Sequence, residues 1–437
     1  MGTLMAGAAA IDISPADSVF LFGYPHVERY SSGIHDPLLG SALYLSDGLT
    51  EVMFIANDII FVSKAFVEQA RERIEEATAV PAGHIMITAT HTHSGPKTVD
   101  YVSNETDATV PPVDGAYLDF FKDRMVAAAT EARKNAQCAQ VGLAVADATG
   151  IGTNRRNPKG PTDPEVPVLM VRSASGDDAV ACMVVYAMHP TVLHEDSRLV
   201  SGDFPAMTRQ FLQKNTLGAN CPVLYHTGPA GNQSLRHVTR ENTFAEAERL
   251  GNKLGRAIAK VIPEMHFTST PVLSSTRGFV DLPRKEFPTI AQAEKELESA
   301  QKELTHLRHT TAPRQLVRTA EVNWFGAEET LTLSRAAQEG RLDGFYRSCL
   351  PAEVQILGIG PWSFVGWPGE IFVEHALALK ARCKNAFVIS LANGEFQGYI
   401  VTEKAAKNGG YEASNSIFGP RSGQTLVDRT LDLMRTR

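Results

Sequence analysis

Apolar residues recur along this chain with two alternating periods, one of about two residues and one of about three and a half. The alternation predicts an α/β fold of mixed sheets with helices packed on them. Ser41–Leu45 and Glu51–Ile55 read as strands joined by a turn at Ser46–Gly48. Ser63–Glu76 has the spacing of an amphipathic helix, His84–Thr90 is an apolar strand, and Tyr117–Asn135 is a long helix. Further strands are predicted at Ala139–Ala146, Val166–Arg172, Ala179–Ala187 and Pro222–His226, and a helix at Ala245–Ile262. At Pro288 the texture changes. From there to Arg341 the chain is rich in Ala, Glu, Lys, Gln and Leu, with one helix over Ala291–Arg308 and a break at Thr310–Pro313 before another. Such a charged excursion reads as surface helices, placed at a pocket mouth or at a contact in a homo-oligomer. Strands resume at Pro351–Leu357 and Ser363–Val365. Residues 1–437 are therefore read as one catalytic domain, with 288–341 as a helical insertion in it.

Charge narrows the classes. A formal net charge of -7 over 437 residues offers no basic face for nucleic acid and no polybasic membrane anchor. No apolar run approaches the length of a membrane span. The start lacks a basic segment of the secretory kind, and Ala6 stands where N-myristoylation calls for Ser or Thr. The five cysteines are scattered without a CxxC pair, as free thiols in a reducing cytosol would be. The expectation is a cytoplasmic protein that meets a small-molecule substrate.

The candidate chemistry lies at strand ends. The apolar strand at 84–90 runs into His91-Thr92-His93, and residues two apart on a strand share a face. His189 closes the 179–187 strand, and His194, a loop residue or supporting donor, follows with Glu195 and Asp196, which read as solvated. Histidines gathered at strand exits suit a metal, because neutral imidazole is a preferred zinc ligand. The strand at 222–226 enters the loop Gly228-Pro229-Ala230-Gly231-Asn232-Gln233-Ser234. That loop is either a plain tight turn or a place where backbone amides and Ser234 meet a substrate. Pro368-Gly369-Glu370 ends another strand, with Glu370 read as opening a helix through Leu379. Tyr399 and Tyr411 stand between glycine-rich turns.

These segments, in this order, resemble the neutral and alkaline non-lysosomal ceramidase family over nearly the whole chain. The resemblance rests on the opening at Ala6–Pro15, on His35–Leu38, on His91–Pro96, on Asn154-Arg155, on Pro368–Glu370 and on the stretch from Tyr399 to Ala413. It implies one zinc ion per chain held by His91, His189, Glu370 and Tyr399. It places His93, Arg155, Tyr411 and Ser234 in the substrate pocket. The chain departs from the family at Asn232, where the family has Asp, and at Lys97. With the sequence ending soon after the last motif, the family's C-terminal immunoglobulin-like domain is expected to be absent. The implied chemistry is zinc-assisted hydrolysis of an amide, with His93 moving a proton to the leaving amine and Arg155 or Tyr411 donating to the developing oxyanion. The expected substrate is a small polar amide, with Arg155 and Arg156 suited to an acid group. Ceramide itself, an ester, lactam or phosphoester, and a non-catalytic metal- or ligand-binding role are the alternatives.

Overall fold

The structure is a computed structural model that describes residues 2–176 and 178–435, without the side chains of 104, 106, 314 and 315. Its largest sheet is mixed. In space the strands run Val223–Thr227, Ala179–Tyr186, Glu165–Ser173, Gln137–Asp147, Met5–Asp12, Leu39–Ser46, Glu51–Asn57 and Ile85–Ala89, with Phe267–Thr268 paired to the side of Gln137–Asp147. The first and last pairs are parallel and the pairs between are antiparallel. Met5–Asp12 and Gln137–Asp147 share only two residue pairs, Met5 with Cys138 and Ala6 with Gln137. At this thin junction the sheet folds back on itself. One apolar core holds Leu43, Phe54, Leu169, Met183 and Leu224 from its two halves. The strand ends that carry the histidines thereby meet. The Thr88 hydroxyl and His226 Nδ1, from opposite edges of the sheet, are 2.7 Å apart.

Helices cover the outer faces. Lys64–Thr78 and Gly115–Lys134 pack on one half through Phe66, Ile74, Phe121 and Met125, and Asp203–Leu212 with Phe244–Val261 pack on the other. The first of these starts where Ser63 Oγ accepts the Phe66 amide at 3.1 Å as an N-cap. A second sheet, ordered Leu273–Val280, Ala352–Ile359, Trp362–Gly366 and Ala386–Ile389, shares the inner core on one face. On its other face lies a cluster built with Ser422–Arg435 and its neighbours.

The helical excursion is a pair, Ile290–Arg308 and Arg314–Gln338, broken between 308 and 314 as expected. Its second helix does more than face solvent. Arg318 reaches Glu195 at 3.1 Å, the Trp324 ring stacks on His26 at 5.2 Å, and Glu328 contacts His26. Glu195, read from sequence as solvated, is thus an anchor for this helix. His306 and His309 are exposed, away from the strand ends.

Candidate metal centre

The His91–His93 pair does not sit on a strand. The strand stops at Ala89, and His91 takes the left-handed backbone conformation with φ +69°. That conformation is costly for a residue with a Cβ and is found where surrounding structure imposes it. Here the Asn57 and Ile59 carbonyls accept the Thr90 and His91 amides at 2.8 and 2.9 Å. The kink, and not strand alternation, brings His93 Nε2 to 3.3 Å from His91 Nε2 with the rings at 88°.

Glu370 also departs from expectation. It does not open a helix but lies in a two-residue ladder, Glu370–Ile371, parallel to Tyr399–Ile400, with Glu370 and Tyr399 in direct register. The helix begins only at Val373. Pro368-Gly369 turns the chain, with Gly369 at φ +80°, and the ladder places Glu370 beside Tyr399.

His91 Nε2, His189 Nε2 and Glu370 Oε2 form a triangle with edges of 3.1, 3.0 and 3.3 Å. A tetrahedral zinc site with bonds of about 2.05 Å has ligand–ligand edges of about 3.3 Å. All three residues are buried. One ring nitrogen from each of His91, His93 and His189 lies within 4.8 Å of the other two.

The proton positions decide what this cluster fits. His91 Nδ1 lies 3.0 Å from the Ile60 carbonyl, His189 Nδ1 2.7 Å from that of Ala230, and His93 Nδ1 3.1 Å from that of Gly23. A carbonyl oxygen only accepts, so each neutral ring carries its proton on Nδ1 and turns a bare Nε2 lone pair to the centre. Burial, aided by Arg155, pushes the His189 imidazole down to about 4. Desolvation and the neighbouring His91 hold His93 well below its usual value. Burial would raise the Glu370 carboxyl, but positive charge on His91 or His189, when either ring is protonated, outweighs it and holds it well below the usual range. Its Oε2 has no hydrogen-bond donor despite lying so near two ring nitrogens. Lone pairs and a carboxylate oxygen thus converge with no proton among them. Such a set can hold a cation, and nitrogen and oxygen donors of this kind fit zinc.

The remaining predicted residues surround this point. Arg155 is poised with Nη1 3.5 Å from His189 Nε2 and its guanidinium 5.2 Å over the Tyr399 ring. Burial disfavours its charge, but Tyr399, Glu412 and Glu370 outweigh that and keep it cationic. Burial, reinforced by Glu370, raises the Tyr399 phenol above its ordinary value. Tyr411 opens a short helix with its ring 6.0 Å from that of Tyr399. Ser234 is buried, pairs with His189 through a backbone bridge, and accepts the Arg236 amide on Oγ at 3.2 Å. Among the described residues no imidazole bonds to Ser234 Oγ.

Sequence reading missed Glu412 and Arg29, and it named Asn232 and Arg156 without their partners. Glu412 takes Arg155 Nε at 2.8 Å and Arg156 Nη1 at 2.6 Å. The two arginines are therefore paired, and the acid-binding role assigned to them loses Arg156. Asn232 accepts the Val373 amide at 3.0 Å and donates to Glu374 at 2.7 Å, fastening the loop to the start of the Val373–Lys380 helix. Arg29, fully buried, donates to the His93 carbonyl and lies 5.1 Å from the Tyr24 ring, which packs on His93 at 5.3 Å. Only the glutamate after Tyr411, inside a quoted motif, carried a signal that would have found it.

The sequence profile described as neutral/alkaline non-lysosomal ceramidase, N-terminal, matches residues 4–222. The chain belongs to the neutral/alkaline ceramidase family. Members of this family are hydrolases acting on an amide bond. The crystal structure of neutral ceramidase from Pseudomonas aeruginosa is similar in fold, with a TM-score of 0.76 and 18% identity over 99% of this chain and 74% of that one. A second structure, titled ceramidase complexed with C2, has a TM-score of 0.76 and 16% identity over 100% of this chain and 76% of that one. No curated protein sequence matches. Among the described residues no helix is long and apolar enough to cross a membrane.

Proposed function

We propose that this ceramidase-family protein is a zinc-dependent amidohydrolase whose ion is held by His91, His189, Glu370 and Tyr399, one per chain. The observation that carries the proposal is the convergence of proton-free ring nitrogens on Glu370 Oε2, which has no donor of its own. A bound zinc ion supplies Lewis acidity toward an amide carbonyl and lowers the proton affinity of water. The chain's own residues do the rest. Arg155, with Nη2 buried and unpaired, is placed to donate to the oxygen that gains charge as the carbonyl is attacked. Tyr411 stands beside it as a second donor. His93, half-buried and bonded through Nδ1 to the Gly23 carbonyl, is held at the rim, where Nε2 can pass a proton to the departing amine. Ser234 orders the loop beside His189 and serves as a hydrogen-bonding partner.

The proposed substrate is a small polar amide, preferred over ceramide by about a hundredfold. In support, the insertion helix carries an acid, Glu329, whose carboxyl is lifted to about 8 by burial together with Glu328 and Glu370. All five cysteines are free thiols, which favours a cytosolic setting. A panel of short amides, a solubilised ceramide, esters and phosphoesters tests the proposal. Amides are expected to turn over fastest, and a faster ceramide or phosphoester overturns the substrate assignment.

A further inference from the structure

One loop, residues 21–29, grips His93 at three points. The loop is closed at its base, where the Leu21 amide donates to the Arg29 carbonyl at 2.7 Å. It lies across the segment after His91, where the Phe22 amide donates to the Gly95 carbonyl at 3.1 Å. The first grip is on the ring nitrogen. His93 Nδ1 donates to the Gly23 carbonyl at 3.1 Å, which leaves Nε2 as the nitrogen free to exchange a proton. Gly23 has φ +121°, and a Cβ there would lie 2.4 Å from His93 Nδ1, so this approach demands glycine. The second grip is the Tyr24 ring, which meets the imidazole at 61° with centroids 5.3 Å apart. Tyr24 is itself fixed, since its hydroxyl donates to the Leu193 carbonyl at 2.7 Å and its ring stacks on His194 at 5.5 Å. The third grip is on the backbone, where Arg29 Nη2 donates to the His93 carbonyl.

Arg29 is the telling member. It is 1% exposed, and its Nε and Nη1 have no partner. Among the described residues its side chain bonds only to the His93 carbonyl and, at 3.5 Å, to Ser94 Oγ. A buried guanidinium without a carboxylate costs stability, and an apolar residue of similar volume would serve a core better. We propose that Gly23, Tyr24 and Arg29 are positioning residues, which fix the His93 imidazole with Nε2 turned to the centre and so set the rate of proton transfer to the leaving amine. The inference rests on the hydrolase reading above. In that reaction the oxygen of water joins the carbonyl carbon, and the C–N bond breaks with its electron pair left on nitrogen. A proton of the same water passes through Nε2 to that nitrogen. An untethered ring would turn about its side-chain torsions and meet the amine in the right pose only part of the time.

The leaving group separates this role from a general structural one. A benzylamine nitrogen departs poorly unless protonated, whereas a nitroaniline nitrogen departs with little help. N-benzylacetamide and para-nitroacetanilide are therefore compared in zinc-loaded wild type, Arg29→Met, Tyr24→Leu and His93→Ala. Arg29→Met keeps the volume and removes the unpaired charge, so the fold is expected to survive it. Both loop variants are expected to lose about tenfold or more in kcat on the benzylamide and no more than about twofold on the nitroanilide, with zinc content unchanged. A selective loss in either variant supports the proposal. Equal losses on the two amides in both variants, or no loss in either, overturns it. If the wild type cuts no amide, or His93→Ala loses equally on both, the hydrolase reading or the role of His93 fails by itself. The loop is then judged by exchange of the His93 Nδ1 proton with water, followed by nitrogen NMR and assigned by its loss in His93→Ala. Exchange about tenfold faster in either loop variant supports the grip on the ring, and unchanged exchange in both overturns it.

Discussion

His91, His189 and Glu370 act as a unit, because each presents a lone pair to the same point and none has a proton to offer the others. Replacing any of the three by Ala should cost the bound metal and the activity together. His93→Ala should keep the metal and lose about a hundredfold or more in turnover, since its role is proton transfer. Elemental analysis beside kinetics reads both, and complete metal loss in His93→Ala would make it a ligand. A pH effect belongs to the same scale. His189 titrates at about 4 in the folded chain against about 6.5 when unfolded, so the unfolded chain takes up its proton first as acidity rises. Metal-free protein should therefore lose stability as pH falls from about 6.5 to about 4. Asp203, lifted to about 6 by burial, works in the opposite direction. The comparison is thus between wild type and His189→Gln, by denaturant midpoints at neutral and mildly acid pH. Identical pH slopes in the two would show that His189 is not held neutral by the fold.

Among the elements, Met5–Asp12 was the hardest to read. Its Ala-rich sequence has low strand propensity, yet it sits mid-sheet because its neighbours on both sides supply the pairing. Gly7 explains part of that sequence. A Cβ there would lie 2.2 Å from the Ala132 carbonyl oxygen of the helix crossing above, so the backbone approach demands glycine. Gly7→Ala should destabilise the protein by about 2–3 kcal/mol, and a denaturation midpoint unchanged by it would contradict the packing. Glu370 was misplaced for a different reason. A carboxylate after Pro-Gly looks like a helix start, whereas pairing with the distant Tyr399 puts it in a ladder, and such long-range contacts leave no local period. The insertion helices were legible from charge and breaks, but their attachment was not, because Glu195–Arg318 joins residues far apart in sequence. Glu195→Gln should loosen the Arg314–Gln338 helix, raising hydrogen exchange there while leaving the core strands protected. Unchanged exchange in that helix would show the contact to be incidental.

At the scale of the whole molecule, the fold-back at Met5–Ala6 is what turns separate strand ends into one site. His91 follows one edge of the sheet and His189 the strand next to the other, and neither edge can make a metal site alone. The α/β alternation and the histidine spacing were visible in the sequence because they are local. The fold-back and the arginine pairing through Glu412 were not, because each joins segments far apart in the chain. The central question for this molecule is whether its converging site needs a cation to cut amides. The direct measurement is zinc titration of chelator-stripped protein, with bound metal and amide turnover followed together. Both should rise in step and saturate at one ion per chain. Turnover that survives stripping, or metal uptake without stoichiometry, would contradict it.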